Sequence, residues 1–234
     1  MKNEKKKYLV VVALLLLLTF GALALAMFNI ESESESESES ESESDYTVIK
    51  KEQLIKQSDV SSLAEDIWNT CHKNGLDDIS TAVFMGILSV ESNMDNMMVE
   101  GIYDVEDFDS KEKALEDINA YTESLLDLYE DNGLKVNDVA YKASDGKYYC
   151  GIGLLNVSGE RAKSLMEYSD NWIDTDVQLQ YIFETYSSVF NEITPGELET
   201  VTKYMCKSLL GQNDENYLAK VNNNAKAWLD MFGE

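Results

Sequence analysis

The sequence predicts a mainly α-helical domain with one small β-hairpin, preceded by a transmembrane helix. Apolar residues recur at helical spacing through most of the chain after residue 60. One stretch, residues 148–157, is instead rich in aromatic and branched residues and contains two glycines, which is typical of a short hairpin or turn. An almost unbroken apolar run over residues 8–28 has the length of a membrane span.

The N-terminal segment has the pattern of a membrane anchor. Four lysines within residues 1–7 precede the apolar run, in which Thr19 is the one polar residue. The run is long enough, at about 1.5 Å per residue, to cross a hydrocarbon core of about 30 Å. The basic flank predicts a cytoplasmic segment 1–7, a single-pass signal-anchor 8–30 and an extracellular remainder at the cell membrane. A cleaved signal peptide is the alternative, with the domain secreted after cleavage near Ala26.

A low-complexity linker follows the apolar run. Residues 31–44 are seven Glu-Ser repeats, and Asp45 follows them. Like charges at every second residue repel one another and cannot pack into a core, so residues 31–45 are predicted to be an extended, solvated tether. The remaining residues, 46–234, have the length of one domain with a sizeable core.

Composition excludes several classes of protein. The chain has 19 Lys and Arg against 44 Asp and Glu, for a net charge of −25, so nucleic acid is not expected as a partner. Three cysteines are too few for a disulfide-built miniprotein. The sequence leaves open whether two of them form a disulfide and the third stays a free thiol. His72 is the one histidine, and no Cys/His group has zinc spacing, so neither a metal nor a cofactor is predicted. A Ser-His-Asp or Cys-His hydrolase would depend on that one histidine, so catalysis by carboxylates is the better hypothesis.

The helices of the domain are predicted from apolar spacing and end signals. The helix at 78–92 is the most apolar, and it is expected to be buried on nearly all sides. Asp109 with Glu112 resembles a capping box, and Thr194 followed by Pro195 resembles an N-cap and a first helical position. The predicted helices cover about residues 60–74, 78–92, 109–130, 159–168, 176–191, 195–210 and 214–232.

Glu91 is the leading candidate for chemistry. It directly follows the apolar run of the 78–92 helix. A carboxyl there is partly desolvated, and desolvation raises its pKa, as a general acid at neutral pH requires. The alternative is a glutamate that points to solvent at a helix end.

A glycine-rich element lies later in the chain, at residues 151–158. It lacks the Lys-Ser/Thr ending of a phosphate loop and the spacing of a dinucleotide loop. It fits better as a shelf on which a polymer lies close to the backbone, because glycine has no side chain to obstruct it. Asn156 offers a donor and an acceptor to a sugar amide, and Tyr149 lies beside the shelf.

The two elements in this order resemble a known family. Glu-Ser-Asn at 91–93, followed by Gly-x-Gly-Leu-x-Asn at 151–156, is similar to the lysozyme superfamily, including lytic transglycosylases and goose-type lysozymes. More narrowly, it resembles the phage-tail and conjugative-element lysozyme-like domains of Gram-positive bacteria. The resemblance covers about residues 60–190 and implies a lysozyme-like α+β domain at 46–234. Further matching positions are Tyr121-Thr122, Asp145, Arg161 and Gln-Leu-Gln-Tyr-Ile at 178–182.

The resemblance implies that the substrate is the glycan strand of peptidoglycan, cut after N-acetylmuramic acid. Glu91 would protonate the leaving oxygen. In a muramidase Asp145 is the best second carboxylate, although a turn-forming role in Ser-Asp-Gly is its alternative. In a lytic transglycosylase Glu91 acts alone, and both routes stay open. The predicted substrate-binding residues are Ser92, Tyr149, Gly153, Asn156, Ser158 and Arg161, with a structural ion pair as the alternative for Arg161.

Two departures from the family pattern motivate a second hypothesis. Asn156 stands where the family has Gln, and Val157 stands where it has Trp, so an aromatic sugar platform is lost. The alternative function is therefore a degenerate lysozyme-like module that binds cell wall or assembles with a secretion or conjugation apparatus. The acidic domain should also be repelled by anionic wall polymers, although salt screens this repulsion within about 8 Å.

Overall fold

The computed structural model describes residues 58–136 and 139–233, with the side chains of residues 58–61 left aside. The predicted cytoplasmic segment, anchor and linker at 1–7, 8–30 and 31–45 lie outside the described residues. Within the described part of the chain, no helix is both long and apolar enough to cross a membrane.

The described residues form a mainly helical fold with one two-stranded antiparallel sheet, as predicted. The helices are α1 (Ser58–Lys73), α2 (Asp78–Glu91), α3 (Lys111–Glu116), α4 (Ile118–Asp131), α5 (Glu160–Tyr168), α6 (Thr175–Thr185), α7 (Ser187–Asn191), α8 (Leu198–Leu210) and α9 (Glu215–Phe232). The strands are β1 (Ala140–Lys142) and β2 (Tyr148–Cys150), which lie between α4 and α5.

The core is built around α2, which is buried along nearly its whole length, as its sequence predicts. Asp77 caps the helix by accepting a hydrogen bond of 2.8 Å from the Ser80 backbone N–H. The most extensive helix contact is with α9, which approaches closely because Gly86 has no side chain. The α9 residue Trp228 donates a hydrogen bond of 2.9 Å from Nε1 to Ser89 Oγ. Helix α9 thus fixes the end of α2 that carries Glu91.

Two predicted helices are interrupted. The helix expected at 109–130 is divided into α3 and α4 at Asp117, whose φ of −144° and ψ of 77° are not helical. Asp117 accepts a hydrogen bond from the Ala120 N–H and so caps α4, while Ser110, and not Asp109, caps α3. Short polar side chains compete for backbone N–H groups in this way. The helix expected at 176–191 is likewise interrupted, at Tyr186.

The start of α8 and the position of the hairpin also differ from prediction. Helix α8 begins at Leu198 with Glu197 as N-cap, so the capping role expected for Thr194 is wrong. A hairpin or turn is expected within 148–157, but only β2 lies there, and it pairs with the earlier strand β1, with Tyr141 opposite Tyr149. Its turn contains Gly146 at a φ of +85°, a conformation that favours glycine. Residues 151–157 form a turn instead.

All three cysteines are buried and free: Cys71, Cys150 and Cys206. The arrangement with one disulfide is therefore not formed. Burial raises the pKa of the Cys150 thiol to about 11 and that of Cys206 to about 12. The thiolate, which is the reactive form, is thus disfavoured in the folded protein.

Candidate functional site

Glu91 ends α2 and is half-buried. Its Oε1 accepts a hydrogen bond of 2.6 Å from the hydroxyl of Tyr217 on α9. Ser92 follows and is buried, with its Oγ 2.8 Å from the carbonyl oxygen of Leu154 and 3.1 Å from that of Leu88. The predicted substrate-binding residue Ser92 therefore ties the end of α2 to the glycine-rich turn.

The pKa of Glu91 is raised above its ordinary value. Burial is the main cause, and the nearby Glu100 carboxylate adds to it. The Tyr217 hydroxyl, the Asn156 amide and the Arg161 charge act in the opposite direction and are outweighed. The partial desolvation expected from the position of Glu91 is present, and it favours the protonated form that a general acid needs.

The backbone just after Glu91 adopts an unusual conformation. Asn93 and Met94 have φ values of 54° and 61°, in the left-handed region. Asn tolerates this region, but a residue such as Met pays about 1–3 kcal/mol for it. Met94 is held there by burial and by a hydrogen bond of 3.2 Å from its N–H to the Leu88 carbonyl. Such strain is concentrated at functional sites.

The glycine-rich turn is joined to the segment after α2 by Gln178 on α6. Gln178 Oε1 accepts a hydrogen bond of 2.8 Å from the Leu154 N–H, and its Nε2 donates one of 2.7 Å to the Asn96 carbonyl. A Cβ on Gly153 would lie 2.6 Å from Gln178 Oε1. The predicted substrate-binding residue Gly153 thus lets the buried amide of Gln178 approach the backbone of the glycine-rich turn. Sequence reasoning placed Gln178 in a matching helix but missed this contact.

An open cleft of about 260 Å³ lies beside this turn. The predicted residues Asn156 and Ser158 both line it. Asn156 is brought close to Glu91 as well, since its amide acts on the pKa of that carboxyl. The complete set of lining residues is Glu100, Val139, Tyr141, Gly151, Asn156 and Ser158.

Glu100 is a charged cleft residue that sequence reasoning missed. Its side-chain Oε2 accepts a hydrogen bond of 3.1 Å from Asn156 Nδ2, and its charge acts on Glu91. The structure therefore brings two carboxylates, Glu91 and Glu100, to one site. In a chain with 44 acidic residues, no local pattern distinguishes Glu100 from the others.

Comparison with known families decides the relationship. A family model described as phage tail lysozyme matches residues 62–232. The chain belongs to the phage tail lysozyme family. The resemblance to the lysozyme superfamily is thereby confirmed, and it extends through α8 and α9. Comparison with curated proteins gave no match, and comparison with solved structures gave none.

In this lysozyme domain, Asp145 lies in the turn between β1 and β2. It is exposed in the hairpin turn, where it accepts hydrogen bonds of 3.0 Å from the Lys147 N–H and 2.9 Å from the Tyr149 hydroxyl. These contacts lower the pKa of Asp145, the Lys147 N–H most strongly. The contacts of Asp145 are thus those of a turn-forming residue. The predicted residue Tyr149 is buried, and its hydroxyl is engaged by Asp145.

Arg161 joins α5 to α8 and to the break between α6 and α7. It lies on α5, and its Nη1 donates hydrogen bonds of 3.0 Å to the Leu209 carbonyl on α8 and 3.3 Å to the Tyr186 hydroxyl beside α6. Among the described residues Arg161 forms no ion pair, so the expected ion-pair role is replaced by these contacts. Its charge still lowers the pKa of Glu91.

Tyr217→Phe is expected to raise the pKa of Glu91 further. The lost hydrogen bond stabilises the ionised carboxylate, and a bond to a charged group contributes about 1.5–3 kcal/mol. NMR titration of isotope-labelled glutamate carboxyls would measure the change. Tyr204→Phe is the matched control, because its hydroxyl bonds to the Val189 carbonyl, away from Glu91. A fall in the Glu91 pKa would contradict the assigned direction.

Proposed function

We propose that this domain cleaves the glycan strand of peptidoglycan after N-acetylmuramic acid, with Glu91 as the general acid. Membership of the phage tail lysozyme family supports a lysozyme-like glycosidase that acts on peptidoglycan. The observation that carries the proposal is the half-buried Glu91, with a raised pKa, next to two residues of an open cleft. A glycosidase needs such a protonated carboxyl beside its substrate groove.

Glu91 would deliver its proton to the oxygen of the leaving sugar as the glycosidic bond breaks. Tyr217 holds the carboxyl in one orientation through its 2.6 Å hydrogen bond. The cleft then offers the side chains of Asn156 and Ser158 to the sugar. A muramidase and a lytic transglycosylase share this first step and differ in the group that next attacks the sugar carbon.

The test is release of soluble muropeptides from purified peptidoglycan by the full chain and by its Glu91→Gln variant. We expect release by the wild type and none above background by the variant. Equal release by both would refute the role of Glu91. No release by either, with the protein still pelleting on walls, would favour the degenerate wall-binding module instead.

An aromatic residue in the cleft supports a sugar platform. Tyr141 lines the cleft and is 53% exposed, whereas Val157, at the position of the family Trp, is 2% exposed. Tyr141 lies against Gly159, where an added Cβ would be 2.8 Å from the Tyr141 Cβ. Tyr141 thus offers the cleft an exposed aromatic side chain, which the buried Val157 does not.

Tyr141→Ala is expected to raise KM for glycan strands about tenfold with little change in kcat. Loss of one aromatic stacking contact costs about 1–1.5 kcal/mol, which corresponds to about a factor of ten. Steady-state kinetics on soluble glycan strands would measure this split. Tyr141→Phe should retain the wild-type KM, and Tyr103→Ala is the control, since Tyr103 is 87% exposed and does not line the cleft. An unchanged KM in Tyr141→Ala would exclude the platform.

The proposal includes anchoring of the domain to the cell membrane, with the domain outside. It is supported by the apolar run within residues 8–30 and by the basic residues before it. The charged repeats at 31–44 would let the domain reach about 45 Å from the bilayer when fully extended. Extraction of cell membranes at alkaline pH tests this, because an uncleaved anchor stays in the pellet and a secreted domain does not.

A further inference from the structure

We propose that Glu100 is the second catalytic carboxylate, the base that activates water, so that the domain hydrolyses its substrate instead of forming anhydro ends. This inference rests on the proposed function, in which Glu91 is the acid. It deepens that function by assigning the reaction type and the residue that determines it.

The main chain of Glu100 is held on both sides. Its N–H donates a hydrogen bond of 2.8 Å to the Gly151 carbonyl, and its own carbonyl accepts one of 2.6 Å from the Tyr121 hydroxyl. Tyr121 is fully buried, and the preceding residue, Val99, forms a β-bridge with Ile152. A residue in a loop between two helices is thus fixed by contacts with α4 and with the glycine-rich turn. Such support is what a catalytic side chain requires.

The side chain of Glu100 is held at one oxygen only. Oε2 accepts the hydrogen bond from Asn156 Nδ2, while no described residue donates to Oε1. No described Lys, Arg or His forms an ion pair with Glu100. Glu100 also lines the open cleft, so its carboxylate is available to a water molecule there. Both oxygens of Asp145, by contrast, are engaged in the hairpin turn.

Asn156 connects the two carboxylates. Its amide bonds to Glu100 and acts on Glu91, and it can do so because Gly151 leaves room. A Cβ on Gly151 would lie 1.9 Å from Asn156 Oδ1. Gly151 and Asn156 therefore act together. They hold the Glu100 carboxylate beside that of Glu91.

The two residues complete a balanced hydrolysis. Glu91 gives its proton to the glycosidic oxygen, and the bond from that oxygen to the sugar C1 breaks. The oxygen of a water molecule bonds to C1, and Glu100 accepts the proton that this water loses. One water is consumed, a reducing end is formed, and the proton on Glu100 exchanges through solvent to restore Glu91.

The first experiment compares the wild-type full chain with Glu100→Gln on purified peptidoglycan in heavy-oxygen water. We expect wild-type products with reducing ends that carry the heavy oxygen, and a loss of rate of about a hundredfold to ten-thousandfold in the variant. Glu106→Gln is the matched control, because Glu106 is exposed in the same loop and does not line the cleft. Asp145→Asn tests the competing carboxylate, and its rate should stay near that of the wild type.

The second experiment separates a base from a merely structural residue. Azide or formate added to Glu100→Ala should restore part of the rate, with azide recovered on the sugar C1, since a small anion can replace the missing carboxylate. Circular dichroism would confirm that both Glu100 variants are folded.

Four results would overturn the inference. Anhydro products from the wild type, with release lost in Glu91→Gln, would refute the role of Glu100 and leave the proposed function standing. An undiminished rate in Glu100→Gln, or folded Glu100→Ala that neither anion restores, would also refute it. Absence of any release by the wild type would refute both proposals.

Discussion

Replacing Glu91 by glutamine is expected to abolish glycan cleavage and, at the same time, to stabilise the fold at neutral pH. Loss of a general acid costs about a hundredfold to ten-thousandfold in rate. Glutamine has nearly the same shape, and its amide oxygen can still accept the hydrogen bond from Tyr217. The variant thus removes the proton donor and leaves the packing around residue 91 unchanged.

The stability change follows from the raised pKa of Glu91. An unfolded chain releases this proton near its ordinary pKa of about 4.3, whereas the folded chain retains it to higher pH. Stability is therefore lost as the pH rises through this window, because the unfolded state binds fewer protons. Glutamine does not titrate, so its advantage is absent below about pH 4 and grows as the pH rises above the ordinary pKa of Glu91.

Thermal unfolding at about pH 3.5 and at about pH 7 would measure this difference. We expect equal melting temperatures for wild type and Glu91→Gln at the lower pH and a higher value for the variant at the upper pH. Glu106→Gln, at an exposed position, should change neither the rate nor the melting temperature appreciably. A variant less stable than the wild type at neutral pH would show that the ionised Glu91 stabilises the fold.

Gly86→Val is expected to destabilise the domain by about 3 kcal/mol or more, a large part of a typical total of about 5–15 kcal/mol. An added Cβ at residue 86 would lie 2.7 Å from the Val221 carbonyl oxygen and 3.1 Å from the Ala225 nitrogen. Both are backbone atoms of α9, so a side-chain rotation cannot relieve the clash and the two helices must separate. Separation would also draw Tyr217 away from Glu91 and reduce activity.

Chemical denaturation would give the free energy of unfolding of Gly86→Val. Ala219→Val is the matched control, because it adds a β-branched side chain to an exposed position on α9 and should cost about 0.5 kcal/mol. A similar, small loss in both variants would contradict the close helix contact at Gly86.

Sequence reasoning succeeded where the cause is local. The apolar residues of α2 bury that helix, and the position of Glu91 at its end accounts for a raised pKa. The breaks at Asp117 and Tyr186 were missed, since each depends on a residue that fits a helix by spacing but adopts other dihedral angles. Caps of this kind are weak signals beside a strong apolar pattern.

The site itself depends on contacts between distant residues. Tyr217 reaches Glu91 across 126 positions of sequence, and Asn156 reaches Glu100 across 56. The family resemblance favours Asp145 as the second carboxylate, yet the hairpin places it in a solvent-exposed turn. No pattern along the chain reports which of many acids the fold brings beside Glu91.

Chemical labelling of the three buried thiols can measure local unfolding of the protein. Thiolates attack alkylating reagents, and burial both hides Cys71, Cys150 and Cys206 and disfavours their ionisation. The folded molecule should therefore resist iodoacetamide, and each label that appears should mark an excursion from the native state. Because these residues lie on α1, β2 and α8, mass spectrometry of the labelled peptides would show which region unfolds locally first.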